Sequence, residues 1–218
     1  MLTRRAFLRC LSALPLAWVL PGAMVAAADS ASGYFRAVQI DDARTVKAWL
    51  AGGGDPNLVN PVGGEPALVL AVREGSMAVL DVLLAHPAIR VDAPAMNGNT
   101  ALMMAAFKRN RPALDALLAK GAAVGRSGWT ALHYAAASGD TGIAGVLLGR
   151  GAPIDARSPS ASGAYTPLML AAREGQADAV AFLLKAGANP RLKNGEGLTA
   201  AQIATRANRD DIARLLTR

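Results

Sequence analysis

The sequence predicts an all-α fold in which helix–turn–helix units stack into a solenoid. The composition is 52% hydrophobic but 5% aromatic, and Leu and Ala, which supply most of the apolar residues, favour helices over strands. A Thr-x-Leu phrase, or a looser copy of it, recurs at steps of 30 to 36 residues. A Leu-Leu pair follows each phrase, and a Gly-rich stop follows most of these pairs. Self-similarity at this period is typical of stacked repeats.

The N-terminal segment has the three parts of an export signal. Residues 1–9 are positively charged, whereas residues 10–28 are uncharged, mostly apolar and end in three alanines. This order predicts a secretory signal peptide that is cleaved after Ala28. A retained membrane anchor is the alternative, but two prolines and a glycine would interrupt the apolar helix. We therefore expect no stable membrane insertion after cleavage.

The start of this segment resembles the twin-arginine export motif, in which Ser or Thr, two arginines, any residue, Phe and Leu follow in order. Thr3, Arg4, Arg5, Phe7 and Leu8 stand at the matching positions. The resemblance implies a bacterial protein that folds before it crosses the inner membrane into the periplasm. The general secretory route remains the alternative.

One central repeat shows how each unit forms. Thr130 is placed to cap a short first helix with its hydroxyl, and Ala135 on that helix lets a neighbouring helix approach closely. Gly139 can adopt the positive φ that turns the chain. Leu147 belongs to a second apolar stripe at helical spacing, which ends at Gly151. Two such short helices cannot bury both stripes alone, so the units must stack.

These units resemble the ankyrin repeat. The segments Thr130–Ala136 and Thr166–Ala172 are the nearest copies of its Thr-Pro-Leu-His phrase, and the resemblance covers residues 34–218. It implies a repeat domain over residues 29–218. Six units are expected, over residues 34–60, 64–97, 98–127, 128–160, 164–196 and 197–218.

The resemblance implies that finger loops protrude from the stack between units, and two of these loops depart from the regular spacing of the family. Finger three (residues 121–129) is shorter than expected, and finger four (residues 151–165) is longer. We therefore expect a blunt third finger beside an enlarged fourth one.

The residue inventory argues against catalysis and against a cofactor or metal site. The two histidines, His86 and His133, are far apart, and Cys10 lies in the segment to be removed. His133 is expected to bond within its own repeat. The segment Gly195–Ala200 fits a loose dinucleotide pattern, but a polar turn rather than a buried strand precedes it. We therefore predict that the protein is not an enzyme and has no cofactor.

Charge does not point to nucleic acid as a partner. The net charge is +7 for the whole chain, but it falls to +4 after residue 28, with 20 basic and 16 acidic residues. This mild excess does not indicate nucleic-acid binding.

The resemblance implies a protein partner, held on a concave face made of fingers and first helices. We predict a non-catalytic, monomeric periplasmic module that binds another exported protein and protects, inhibits or stabilises it. The alternative is a periplasmic hydrolase or small-molecule-binding protein with a site at the finger loops, in which Arg126, Arg157 and Asp155 would supply the ionisable groups.

Trp129 and Tyr165 are the predicted anchors of the partner site. Both stand directly before a motif threonine, where this family faces its concave side, and we expect both rings to be exposed. Trp and Tyr are frequent hot-spot residues. Local packing of Trp129 over its shortened finger is the alternative. The full predicted set is Trp129, Tyr165, Phe107, Lys108, Arg126, Met96, Asn99, Arg173, Glu174 and Leu198.

Overall fold

The structure, a computed structural model, describes residues 31–217. Contacts divide the chain into Met1–Gly33 and a compact repeat domain, Tyr34–Arg218. The predicted signal peptide (residues 1–28), with Arg4, Arg5, Phe7 and Leu8, lies outside the described residues and stays a prediction.

Regular structure in residues 31–217 is helical and contains no β-strand; an isolated antiparallel bridge joins Val59 and Pro66. No helix in this part is both long and apolar enough to cross a bilayer. Residues 31–217 form twelve α-helices: α1 (31–39), α2 (Ala43–Ala51), α3 (Ala67–Glu74), α4 (Met77–Ala85), α5 (Ala101–Phe107), α6 (Arg111–Ala119), α7 (Ala131–Ser138), α8 (Thr141–Gly149), α9 (Pro167–Glu174), α10 (Ala177–Lys185), α11 (Ala200–Arg206) and α12 (Asp210–Leu216).

The helices form two rows. The first helices α3, α5, α7, α9 and α11 pack against one another in that order, and each also packs against the helix that follows it. The second row runs along the other side through α2, α4, α6, α8, α10 and α12. The predicted all-α solenoid of helix–turn–helix units is therefore confirmed.

Alanine lets the first helices approach closely. Ala105 and Ala106 on α5 and Ala135 and Ala136 on α7 are all 0% exposed. A methyl side chain leaves room for a neighbouring backbone and loses no rotamer freedom when it is buried. The second helices contribute larger side chains, such as the fully buried Leu147, so each unit hides its apolar surface against the next.

The turn between the two helices of a unit contains a residue with positive φ, which is glycine in some units and Asp41, Arg109 or Asn208 in others. Gly139 ends α7 at φ 77°, in the left-handed region, and its N–H bonds back to the last turn of the helix. Gly151 has φ 84° in the turn after α8. Residues with a Cβ are strained at such angles, which agrees with the stops predicted from the sequence.

Side chains in the fingers bind the backbone of the next unit. Asn57 accepts a hydrogen bond from the N–H of Arg90 (2.7 Å) and donates one to the carbonyl of Ala88 (2.8 Å). Asp92 accepts from the N–H of Ala123 at 3.1 Å. These bonds recur about one repeat apart, so neighbouring fingers are fixed relative to each other.

His133 joins two units. The residue is 0% exposed, and its Nε2 lies 3.0 Å from the carbonyl oxygen of Tyr165 in the next unit. Because a carbonyl can only accept, Nε2 carries the proton. Nδ1 then accepts from Thr130, whose N and Oγ1 lie 3.2 and 2.8 Å away. The ring therefore bonds within its own repeat, as predicted, and also with the following one.

Thr130 caps α7 in a capping box with His133, and its hydroxyl has a further partner. In α5 and α9 the motif threonines Thr100 and Thr166 accept from the N–H of Met103 and Met169, each at 3.4 Å. The Thr130 hydroxyl in addition donates to the imidazole of His133 at 2.8 Å. A histidine in this slot offers an acceptor that the methionine side chains match only weakly.

Replacing Leu147 with Ala should lower the free energy of unfolding by about 2–5 kcal/mol, because it empties a fully buried site in a central unit. Replacing the partly buried Leu216 should cost clearly less, because the terminal unit has a neighbour on one side only. Urea unfolding followed by circular dichroism measures both. Equal losses would contradict a solenoid stabilised by contacts between neighbours.

Acid should destabilise the domain through His133. Burial lowers the pKa of His133 to about 4, against a smaller opposing effect of its bond to Tyr165. The unfolded histidine, with a pKa near 6.5, therefore binds a proton more readily than the folded one. The stability gained from the neutral ring is present above about pH 6.5 and is lost as the pH falls towards 4. Between pH 7 and pH 5 the loss should be about 2 kcal/mol.

The matched control is His133→Gln. Gln202 fills the same slot in the last unit and accepts from the N–H of Thr199 through Oε1 at 2.9 Å. Glutamine keeps an acceptor for Thr130 and does not titrate. Urea unfolding at several pH values should therefore show a flatter pH dependence for the variant. Parallel profiles for the two proteins would overturn the role assigned to His133.

Candidate functional site

A groove of about 240 Å³ crosses three consecutive first helices. Its lining side chains come from α5, α7 and α9 and from Trp129, which lies two residues before α7. We call it the first-helix groove, and it is lined by Phe107, Trp129, His133, Tyr134, Ala137, Leu170, Arg173 and Glu174.

Three aromatic rings form one wall of the first-helix groove. The ring of Tyr134 stands edge-on to Phe107, with centroids 6.1 Å apart, and is tilted against Trp129 at the same distance. The Tyr134 hydroxyl donates to Oδ1 of Asn99 at 2.6 Å, which fixes the ring, and burial raises the pKa of this hydroxyl. Phe107 is 53% exposed, so it presents apolar surface to solvent.

Trp129 lies partly buried at the finger end of the groove. Its indole meets the edge of the His133 ring at 5.3 Å and packs against the core, while the rest of the ring lines the groove. The side chain thus combines local packing with a surface open to a partner.

Tyr165 is not the exposed ring that the sequence predicts. It is 8% exposed, and the guanidinium of Arg173 covers it, with Cζ 5.1 Å from the ring centroid. The enlarged fourth finger folds back and pairs with it: Ser158 N–H donates to the Tyr165 carbonyl at 2.8 Å, and Ser158 Oγ accepts from Tyr165 N–H at 2.9 Å. The longer loop therefore buries the ring, and Arg173 takes its place at the surface.

The charges near the groove are not balanced. Arg173 is paired with Glu174, with Nη2 2.8 Å from Oε1. Lys108 and Arg109, which follow Phe107 directly, are exposed. Neither has an ion pair within residues 31–217; Arg109 donates to the backbone carbonyl of Ser138. The rim beside Phe107 therefore carries uncompensated positive charge.

The structure brings only part of the predicted site together. Four of the ten residues line the groove. Asn99 is joined to it through its bond with Tyr134, and Lys108 directly follows the lining residue Phe107 along the chain. Met96 lies at the tip of its finger, 88% exposed. Arg126 donates to the carbonyl of Asp92, and Leu198 stands in the last unit, away from the groove.

Sequence reasoning missed Tyr134. It stands four residues after the motif threonine, where the other units carry Leu70, Met104, Leu170 and Ile203. A tyrosine in a slot otherwise filled by aliphatic side chains or Met is the signal that would have revealed it.

Arg126, Arg157 and Asp155, the ionisable residues considered for a finger-loop active site, do not converge on one place. Arg157 donates to the carbonyl of Lys193 at 2.9 Å, and Asp155 accepts from the N–H of Asn189 at 3.1 Å. Each is used to join neighbouring fingers. Within the described residues no three His, Cys, Asp or Glu side chains cluster as metal ligands would.

Comparison with known proteins identifies the repeats. A family model described as ankyrin repeats matches three times, over residues 34–127, 91–158 and 155–218. The NF-kappa-B p105 subunit of Mus musculus is 36% identical over 142 residues, which are 62% of this chain and 14% of that protein. The p105 subunit of Gallus gallus is 33% identical over 181 residues, 80% of this chain and 18% of that protein.

A human protein, SH3 and multiple ankyrin repeat domains protein 2, is 32% identical over 168 residues, 75% of this chain and 9% of its own length. The chain thus spans less than a fifth of each of these relatives, and the similarity concerns the repeats. The family matches together extend over residues 34–218. The chain therefore belongs to the ankyrin-repeat family.

Proposed function

We propose that this chain is a protein-binding module and that its partner docks in the first-helix groove. The observation that carries the proposal is the open aromatic wall of Phe107, Trp129 and Tyr134, with Arg173 beside it. Trp, Tyr and Arg dominate measured interface hot spots, where they fill pockets near the centre of the contact. A partner that covers this exposed apolar surface removes it from water, which favours binding.

The groove is better suited to one or two protein side chains than to a small molecule. Pockets that enclose drug-sized ligands have volumes of about 300–1,000 Å³, whereas this groove has about 240 Å³ and is open along one side. Its walls stand on packed helices, so little conformational entropy is lost on binding. A non-catalytic role is supported by Arg126, Arg157 and Asp155, which bond to neighbouring backbone groups.

We also propose that the chain is exported to the bacterial periplasm by the twin-arginine route and acts there as a monomer. Its partner would then be another exported protein, which it protects, inhibits or stabilises. Support comes from the charge and apolar pattern of residues 1–28 and from the spacing of Arg4, Arg5, Phe7 and Leu8.

Phe107→Ala should weaken binding of the physiological partner by about 2 kcal/mol or more. The melting temperature should hardly change, since half of this side chain is already in solvent. The partner is first captured from periplasmic extract and identified, and its affinity for each variant is then measured by calorimetry.

Ile40→Ala is the matched control, because it removes another exposed apolar side chain (66% exposed) far from the groove. Equal affinities of the wild type and both variants would show that the groove is not the docking site. An equal loss of affinity in both variants would indicate nonspecific binding to exposed apolar side chains instead.

Replacing Arg4 and Arg5 with Lys should leave uncleaved precursor in the cytoplasm, because the export motif requires the arginine pair. Cell fractionation and mass spectrometry of the N-terminus measure this directly. Mature protein in the periplasm of the double variant would rule out the twin-arginine route and leave the general secretory one. Absence of the wild-type protein from the periplasm would overturn export itself.

A further inference from the structure

We propose that the segment which occupies the first-helix groove pairs a large apolar side chain with a neighbouring Asp or Glu, whose carboxylate is bound at Lys108. The inference rests on the proposed function of the groove and specifies the chemistry of the partner. An acidic and apolar peptide segment of another protein is thus the expected occupant.

The apolar half of this chemistry follows from the lining. Phe107, Tyr134 and Trp129 form a continuous row of rings, and Ala137 and Leu170 also line the groove. An aromatic or long aliphatic side chain would remove these surfaces from water without leaving a polar group unpaired.

The acidic half follows from the charges at the rim. Glu174 holds the guanidinium of Arg173, which also stacks on Tyr165, so these two charges largely cancel. Lys108 and Arg109 have no carboxylate partner within residues 31–217. A carboxylate on the partner would supply the missing negative charge.

Neither glutamate at this edge of the preceding unit forms an ion pair with Lys108. The acid in the corresponding row, Glu74, is held by Arg73, with Nη2 2.8 Å from Oε1. Arg73 also binds Glu65, with Nη1 2.6 Å from Oε2. The carboxylates closest in the repeat pattern are therefore engaged with Arg73.

A cation is the competing occupant, because aromatic rings beside a carboxylate can also hold an ammonium or guanidinium group. In this groove the only lining carboxylate, Glu174, is already paired with Arg173. A basic side chain would in addition meet the uncompensated charge of Lys108. The balance of charge favours an acid.

The position of Lys108 also predicts how far apart the acidic and the apolar residue of the bound segment lie in sequence. It follows Phe107 directly and caps the end of α5. A carboxylate bound by Lys108 while an apolar side chain contacts Phe107 belongs within one or two residues of that side chain.

The test uses a random dodecapeptide library displayed on phage, selected on the purified protein and counter-selected on Phe107→Ala. Sequenced peptides that require Phe107 should contain an aromatic or large aliphatic residue with Asp or Glu at a neighbouring position. Synthetic copies of these peptides then allow affinities to be measured by fluorescence anisotropy.

Lys108→Glu should lower the affinity for these acidic peptides about tenfold. A fresh selection on this variant should enrich peptides with Lys or Arg beside the apolar residue. Lys120→Glu is the control. It makes the same change of charge at another exposed lysine, which follows α6 in the second row of helices, and it should leave the affinities nearly unchanged. Raising the salt concentration should weaken wild-type binding more than Lys108→Glu binding.

The outcomes separate the two proposals. Peptides that need Phe107 but carry no acid, or carry a base, would overturn the acidic occupant and leave the groove as a docking site. An equal loss of peptide affinity in Lys108→Glu and Lys120→Glu would overturn the role of Lys108. A selection that yields no peptide dependent on Phe107 would overturn the groove as a peptide site, and the acidic occupant with it.

Discussion

Close packing between neighbouring first helices is the constraint on which the rest of the structure depends. The helices have seven to nine residues, and helices this short are marginal in water on their own. They are stabilised because each buries its alanine face against the next, as Ala105 and Ala135 do. Asn57 and Asp92 accept hydrogen bonds from backbone N–H groups of the following unit, and His133 donates one to a carbonyl there; these bonds fix the register of the stack.

The candidate site is a consequence of the same packing. No single unit contains the first-helix groove, because Phe107, Tyr134 and Arg173 come from three consecutive units. Stacking sets the distances between these side chains and keeps them in place before a partner arrives. His133 has a part in both properties, since it lines the groove and bonds to the carbonyl of Tyr165 across the boundary between two units.

Much of the site could be found from repeat positions, and the exceptions have clear causes. Phe107, Trp129, Arg173 and Glu174 occupy equivalent places at the ends of first helices or before them, so the pattern placed them on one face. The exposure expected for Tyr165 was wrong because the enlarged finger folds back and pairs with it, with Arg173 over the ring. Spacing shows that a loop is longer but does not show where it goes.

The sequence by itself determined the local structure and its repetition. Alanine and leucine periodicity, threonine at helix starts and glycine at positive φ each act within a few residues, so they can be recognised along the chain. Only the tertiary structure decided which side chains meet across units. The bond from Tyr134 to Asn99 and the bond between His133 and the carbonyl of Tyr165 depend on rotamers and on distances between residues more than 30 positions apart in sequence. These are properties of the stack, which no single repeat encodes.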